Sequence, residues 1–299
     1  MTNQQPVPET RVGVALGGGG ARCFAHIGVL KAFDECGVQP VAFAGCSSGA
    51  VVGALYAAGH SPDHIYELFH EANFLSFLDV DFDGGSGLIG HETIADFLAQ
   101  HLPETFGELD LPLVVAAVDI QTGDLVTMSE GPLLPAVCAS NAFPGIFDPV
   151  LHDGRYLVDG GVLNLVPVDL VRSLTDEPVI AVDVSLPITR KLPLGEKSHG
   201  DTLWGRATAT FKPKNLTLPF DLINKSYTIT QVRLTQLTYD LYPPDLIIKP
   251  ALKDDCMPHS FGRLEEAMSC GYEKAREVLA DQRSALSVRT EQNNAPKET

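Results

Sequence analysis

Along the chain, short charge-free apolar runs alternate with segments whose apolar residues recur every three or four positions, the pattern of buried strands feeding helices. Arg11 to Leu16 reads as a strand running into Gly17-Gly18-Gly19-Gly20, and Phe24, Ile27, Leu30 and Phe33 then mark a helix closed by Gly37. A second apolar run, Val41 to Gly45, is followed by Ser47 and a small-residue helix from Gly49 to Gly59. Ser61, Pro62 and Asp63 punctuate the start of the next helix, and Ile94, Phe97, Leu98 and Leu102 mark another. Leu113 to Ile120 and Leu125 to Met128 form a strand pair about the turn Thr122-Gly123-Asp124. Pro132 opens a helix through Ser140, and Phe143 to Pro149 forms a rigid, aromatic-lined loop. The strand Arg155 to Val158 leads into Asp159-Gly160-Gly161, a helix starts near Pro167, and Val179 to Val184 is a buried strand. Ile223, Tyr227, Leu234, Leu237 and Leu241 suggest a helix, Asp245 to Lys249 a last strand, and Phe261 to Leu286 a closing helix. The alternation predicts one α/β domain.

Composition narrows what such a domain can do. The 299 residues are 44% hydrophobic and 20% charged, enough for a full core, and the formal net charge of −17 argues against nucleic acid and against electrostatic docking on anionic lipid. The six cysteines (Cys23, Cys36, Cys46, Cys138, Cys256 and Cys270) have no C-x-x-C pair or metal-ligand spacing, which suits a reduced, cytoplasmic chain with no metal and no cofactor. Residues 1–10 form a polar tail without signal-peptide character, and 287–299 read as a disordered tail, leaving 11–286 as the domain. Gly37 to Gly59 is uncharged, but its Pro40, paired serines and glycines break it into strand, turn and helix, a buried core and not a membrane span. The loop Phe74 to Gly90 carries Asp79, Asp81 and Asp83 but lacks the later glutamate of a calcium loop, so a solvated loop is the better reading. Residues 190–225 invert the overall charge and interleave Trp204, Phe211 and Phe220. An ordinary surface crossover is the plainer reading there, and a lid or lipid-facing flap making transient membrane-surface contact is the functional one.

The candidate chemistry gathers at strand ends. Gly45-Cys46-Ser47-Ser48-Gly49 fits G-x-S-x-G in a strand-turn-helix context, where flanking glycines permit the tight turn that presents a nucleophile, so Ser47 is the candidate. The glycine run after the first strand invites a nucleotide reading, but G-x-G-x-x-G fails because Arg22 or Cys23 stands where the last glycine belongs, and no P-loop matches. What remains is a set of main-chain N–H groups at a helix N-terminus, suited to the oxyanion of a tetrahedral intermediate. Asp119, Asp159 and Asp183 all end strands and compete as partner to Ser47. Asp159 leads because Gly160-Gly161 frees the backbone after it, yet spacing alone does not decide. A histidine triad stays open through His152, His199 or His259, of which His259 fits the order Ser-Asp-His.

With these pieces placed, the chain resembles the patatin-like phospholipase family, in particular its compact bacterial single-domain members. Gly17-Gly18-Gly19-Gly20-Ala21-Arg22 is similar to the family's glycine-rich oxyanion block and Gly45-Cys46-Ser47-Ser48-Gly49 to its nucleophile motif. Ala139-Ser140-Asn141-Ala142-Phe143-Pro144-Gly145 resembles its proline block and Asp159-Gly160-Gly161 its D-G-[GA] motif. The resemblance implies a three-layer fold, with a mostly parallel central sheet and helices on both faces, and a Ser47–Asp159 dyad. It implies an oxyanion hole built from Gly17, Gly18, Gly19 and Gly20, with N–H groups near Gly18 and Gly19 as the donors, supported by Arg22, Gly45, Gly49, Pro144, Gly160 and Gly161. Cys23 departs from the glycine usual after that arginine, a change that would narrow the oxyanion turn, and Cys46 fills a variable position. The expected reaction is hydrolysis of fatty-acyl esters of (lyso)phospholipids or related lipids through an acyl-enzyme. An acyltransferase or thioesterase acting on carrier-bound chains, or a weakly active regulatory protein, are the rivals.

Overall fold

The computed structural model of the chain describes residues 10–71, 92–188, 218–253 and 261–294. The N-terminal residues 1–9, the aspartate-bearing loop, residues 189–217 with His199, Trp204 and Phe211, and residues 254–260 with Cys256 and His259 lie outside the described residues. The strands are β1 (Thr10–Leu16), β2 (Val38–Cys46), β3 (Leu113–Asp119), β4 (Leu125–Met128), β5 (Val150–His152), β6 (Arg155–Asp159), β7 (Val179–Val182) and β8 (Leu246–Ile248). The helices are α1 (Phe24–Cys36), α2 (Ser48–Ala57), α3 (Pro62–Glu71), α4 (Glu92–Ala99), α5 (Leu133–Ser140), α6 (Val168–Arg172), α7 (Leu218–Leu241) and α8 (Leu264–Asn294).

All eight strands join one sheet in the order β5-β6-β3-β2-β1-β7-β8, with β4 paired to β3. The run β3-β2-β1-β7-β8 is parallel throughout, and β4, β5 and β6 add antiparallel pairings at one side. Chain order reverses at β1, which lies between β2 and β7, so the crevice beyond its C-terminal end is where an open α/β sheet places a ligand.

The residue alternation in the parallel strands decides how the two faces are covered. Val12, Val14 and Leu16 of β1, Phe43 of β2 and Ile180 and Val182 of β7 pack into one core with α1, α2, α3, α5 and α8. Their neighbours Ala15, Ala42, Ala44 and Ala181 face the other way, against Val168 and Val171 of α6 and Tyr239 of α7. The bulkier strand residues thus gather mostly on one face, while four alanines with Val114 and Val179 line the other, and the helices on the two faces make three layers. Among the described residues no helix is long and apolar enough to cross a membrane.

The expected strands and helices are present, with differences at their ends. The strand β5 was not anticipated, because three residues between prolines and a turn carry too short a pattern. β1 begins at Thr10, one residue inside the expected tail, and α7 begins at Leu218, inside the 190–225 stretch. The closing helix extends to Asn294, so residues 287–294 are helical and not part of a disordered tail. No glycine or proline interrupts the chain between Gly271 and Pro296, so nothing in the backbone stops the helix earlier.

α1 and α8 cross at backbone contact. A Cβ on Gly28 would lie 1.9 Å from the Met268 carbonyl oxygen, and one on Gly271 would lie 1.9 Å from that of Ala25. Neither side can yield by turning a side chain. Gly271→Val is expected to lower the urea midpoint with a loss of about 1–3 kcal/mol or more, without changing the denaturant dependence of unfolding.

Candidate active site

β2 ends at Cys46, and Ser47 follows in a conformation L-residues rarely adopt, φ 53° and ψ −134°, before α2 begins at Ser48. Such a residue costs on the order of 1–3 kcal/mol and persists only where its surroundings overdetermine it. Here they do. The Ser47 N–H donates to Ser140 Oγ at 2.8 Å, while its carbonyl accepts from Asn141 Nδ2 at 3.0 Å and from the Ala50 N–H at 2.8 Å. Gly49 makes the turn sterically feasible: a Cβ there would stand 2.3 Å from the Leu16 carbonyl oxygen. Gly45 does the same against Ala50, whose Cα would be 2.5 Å from the added carbon.

Asp159 closes β6 and is 2% exposed. The sheet register brings it to Ser47: Cys46 pairs with Ala116 and Ala117 with Asp159, so one residue past the end of β2 falls in the row of Asp159. Asp159 Oδ1 accepts from the Gly161 N–H at 2.7 Å and from the Cys46 thiol at 3.8 Å, and the Ser47 hydroxyl lies close enough to act on this carboxylate. Burial nevertheless dominates and pushes its pKa up to about 6, against the lowering effect of those three donors. The Cys46 thiol, buried beside this carboxylate, is held well above its usual value and stays protonated.

The other two aspartates have different work. Asp119 Oδ1 accepts from the Gln121 N–H at 2.9 Å and shapes the β3–β4 turn. Asp183 lies just past β7, accepts from the Ser185 N–H at 2.9 Å and pairs with Lys249 Nζ at 2.6 Å. His152 sits on β5 beside Asp153, 3.6 Å away, and no described histidine is among the groups acting on Asp159.

The glycine run is tighter than the four-donor cradle expected. The Gly17 N–H donates to the Val182 carbonyl and the Gly18 N–H to the Leu165 carbonyl, both at 3.0 Å, so these two amides are already committed to the main chain. Gly18 instead supplies room, since a Cβ there would meet Ser47 Cβ at 2.9 Å. The Gly19 N–H donates to Ser48 Oγ at 3.2 Å, a rotatable hydroxyl that an oxyanion can displace. Gly20, at φ 57°, and Ala21 open the helical turn, where amides have no intrahelical acceptor. The donor set at this turn thus shifts to Gly19 and the residues after it.

Arg22 ties that turn to the segment after β7 through Nε to the Val184 carbonyl at 2.7 Å and NH2 to the Ser185 carbonyl at 3.2 Å. Cys23 is buried in the main core behind the turn. Pro144 and Gly145, at φ 86°, form the two central positions of a type II turn closed by the Ile146 N–H on the Phe143 carbonyl at 3.0 Å. Gly160 packs where a Cβ would be 2.3 Å from the Ala116 carbonyl oxygen.

Several contributors were not singled out from sequence. Ser140 and Asn141 lie within the proline block, yet the block signals only that a turn is present, not that its polar side chains hold Ser47. His26 is fully buried on α1, and its Nε2 lies 2.7 Å from the Gly17 carbonyl, with burial lowering its pKa to about 4, so it stays neutral and steadies the glycine turn. Tyr227 and Gln231 of α7 reach the same region. Gln231 Nε2 donates to the Gly161 carbonyl at 3.1 Å, and the Tyr227 ring meets Phe143 edge-on at 5.2 Å.

Residues 14–172, more than half of the chain, match the family model of patatin-like phospholipases. An uncharacterized NTE family protein of Mycobacterium tuberculosis is 37% identical over 178 residues, 58% of this chain and 49% of that one. Human patatin-like phospholipase domain-containing protein 6 is 32% identical over 202 residues, 65% of this chain and 14% of that protein. The chain thus spans about half the length of the mycobacterial relatives it matches, and far less of the human one. Among solved structures, VipD from Legionella pneumophila superposes with a TM-score of 0.54 at 13% identity, covering 92% of this chain and 67% of that one, a likeness of fold.

His26 and Asp159 titrate between folded and unfolded chains in opposite senses over one window. From about pH 4 to 6.5 the unfolded chain protonates His26 and the folded chain does not, so this residue makes stability rise with pH. From about pH 4 to 6 the folded chain holds a proton on Asp159 that the unfolded chain releases, so this residue makes stability fall with pH. Each effect is on the order of 3 kcal/mol and the two oppose each other. Relative to the parent, Asp159→Asn is expected to gain stability between pH 4 and 6.5 and His26→Gln to lose it, read from urea midpoints at the two pH values.

Proposed function

We propose that this chain, which belongs to the patatin-like phospholipase family, is a serine acyl hydrolase acting on fatty-acyl esters of (lyso)phospholipids or related lipids. The observation that carries this reading is a serine on a strained turn, set in one row of the sheet with a buried carboxyl that its hydroxyl acts on and whose pKa of about 6 suits a general base near neutral pH. Asp159 takes the Ser47 proton as Oγ attacks the ester carbonyl. The developing oxyanion displaces Ser48 Oγ from the Gly19 N–H, and the amides opening the next helical turn add positive potential. Asp159 then returns the proton to the departing alcohol, and a water activated by the same carboxylate releases the fatty acid from the acyl-enzyme.

The surroundings support a substrate with an apolar chain. Leu163, just after the Asp159 turn, and Leu222 and Ile223, about one turn before Tyr227 on α7, are large apolar residues left exposed. Their placement suits an acyl chain arriving from a lipid surface or a micelle.

A fluorophosphonate probe should label the parent chain at Ser47 and fail on Ser47→Ala, and lysophospholipid hydrolysis should vanish in the same variant. Asp159→Asn should lower kcat/KM by about a thousandfold or more while leaving the fold intact. In the parent, kcat/KM should rise with pH through about 6 and then level off, because the base acts only when ionised. Labelling that persists after Ser47→Ala would overturn the assignment. Faster turnover of an acyl-thioester than of the matched lysophospholipid would move the substrate to carrier-bound chains.

A further inference from the structure

One turn of α7 is pinned over the dyad from two sides. Tyr227 packs edge-on against Phe143 at 5.2 Å, and the neighbouring residue Ala142 holds Asp159 through its carbonyl, which accepts the Asp159 N–H at 3.0 Å. Gln231, one turn later, donates to the Gly161 carbonyl at 3.1 Å. A Cβ on Gly161 would stand 2.9 Å from Asp159 Oδ1 and 2.7 Å from Gln231 Nε2, so only this glycine separates the carboxylate from the helix. Between these anchors the Tyr227 hydroxyl is buried beside the Gln231 side chain, whose amide already donates to Gly161, and it makes no hydrogen bond of good geometry among the described residues. An orphaned buried hydroxyl is costly, on the order of 1–3 kcal/mol, and calls for an explanation.

We propose that Tyr227 is a further catalytic residue, whose hydroxyl donates a hydrogen bond to the leaving-group oxygen of the ester. The proposal rests on the acyl-hydrolase reading above, and the side of the site on which Tyr227 lies selects its partner. The amides for the carbonyl oxyanion come from the Gly19 turn, whereas the oxygen that departs must receive its proton from Asp159 and therefore sits on the Asp159 side. As the tetrahedral intermediate collapses, the bond between the carbonyl carbon and the leaving oxygen breaks and the electron pair stays on that oxygen. The proton taken from Ser47 passes from Asp159 to it. Tyr227 keeps its own proton and stabilises the charge that accumulates before the transfer is complete. Burial and then the nearby Asp159 carboxylate hold its phenol far above its usual pKa, against the lowering effect of the Gln231 side chain, which keeps it a donor at every working pH.

The test compares two esters of one fatty acid in the parent, Tyr227→Phe and Tyr239→Phe. A p-nitrophenyl ester leaves as a stable anion and needs no help, whereas a lysophospholipid leaves as a basic alkoxide. Tyr227→Phe is expected to lower kcat/KM for the lysophospholipid by about tenfold or more, change the p-nitrophenyl ester by less than about twofold, and leave fluorophosphonate labelling of Ser47 at the parent rate. Tyr239 carries the same orphaned hydroxyl on the same helix about 18 Å further on, and Tyr239→Phe should not separate the two substrates. Equal effects of Tyr227→Phe on both esters, no effect on either, or the same selectivity in Tyr239→Phe would each overturn the role of Tyr227 alone. Failure of the parent to be labelled at Ser47 would overturn the hydrolase reading and this role together.

Discussion

The strained turn at Ser47 is the constraint on which the site depends. A non-glycine residue at φ 53° is held because both of its main-chain groups are bonded to one short segment, Ser140 and Asn141 at the end of α5. That segment continues through Ala142, whose carbonyl bonds the Asp159 N–H, into the Pro144-Gly145 turn. The proline block therefore positions Ser47 and Asp159 at once: it fixes the first by its side chains and the second by its backbone. The strain at Ser47 and the reach of Asp159 are set by the same few residues, so neither can drift without the other.

The electrostatics follow from what surrounds the carboxylate. Asp159 is removed from water, which favours its neutral form, and it is given three donors, which favour its charged form. The balance lands near pH 6 because burial outweighs all three, of which the Ser47 hydroxyl lowers the pKa most and the Cys46 thiol, at 3.8 Å, least. A site that solvated the aspartate more fully would make it a weaker base, and one that solvated it less would leave it protonated at neutral pH. His26 is the complementary case, an imidazole kept neutral by burial so that it can serve the Gly17 carbonyl without adding charge near the glycine turn.

Much of this was legible in the sequence because it is local. Strand periodicity, the glycines at Gly45 and Gly49 and the punctuation around Pro132 and Pro144 each depend on neighbours within a few residues, and the elements they predict are present. The choice among Asp119, Asp159 and Asp183 was not local. It depends on the antiparallel register that sets Asp159 beside Ala117, and on turn and ion-pair partners that occupy the other two. The glycine donors were misjudged for a similar reason: a glycine run shows that amides are accessible but not that Val182 and Leu165 accept from two of them. Tyr227 reads in sequence as one more apolar position on a helix, because a hydroxyl gains meaning only from what it faces.

The layer that carries Tyr227 is itself a consequence of strand composition. Ala15, Ala42, Ala44 and Ala181 give α6 and α7 a shallow face to rest on, and Tyr239 of α7 packs into that layer. Val114 and Val179 share that face, but leucine or phenylalanine at the alanine positions would push the helices away from the sheet and strain the Gln231 bond to Gly161. The same alternation that fills the opposite core with Phe43, Ile180 and Leu16 thus sets how closely a helix approaches the carboxyl end of β6. Small residues in the strands and glycine at Gly161 act together: one lowers the helix onto the sheet, and the other lets it touch the turn that bears Asp159.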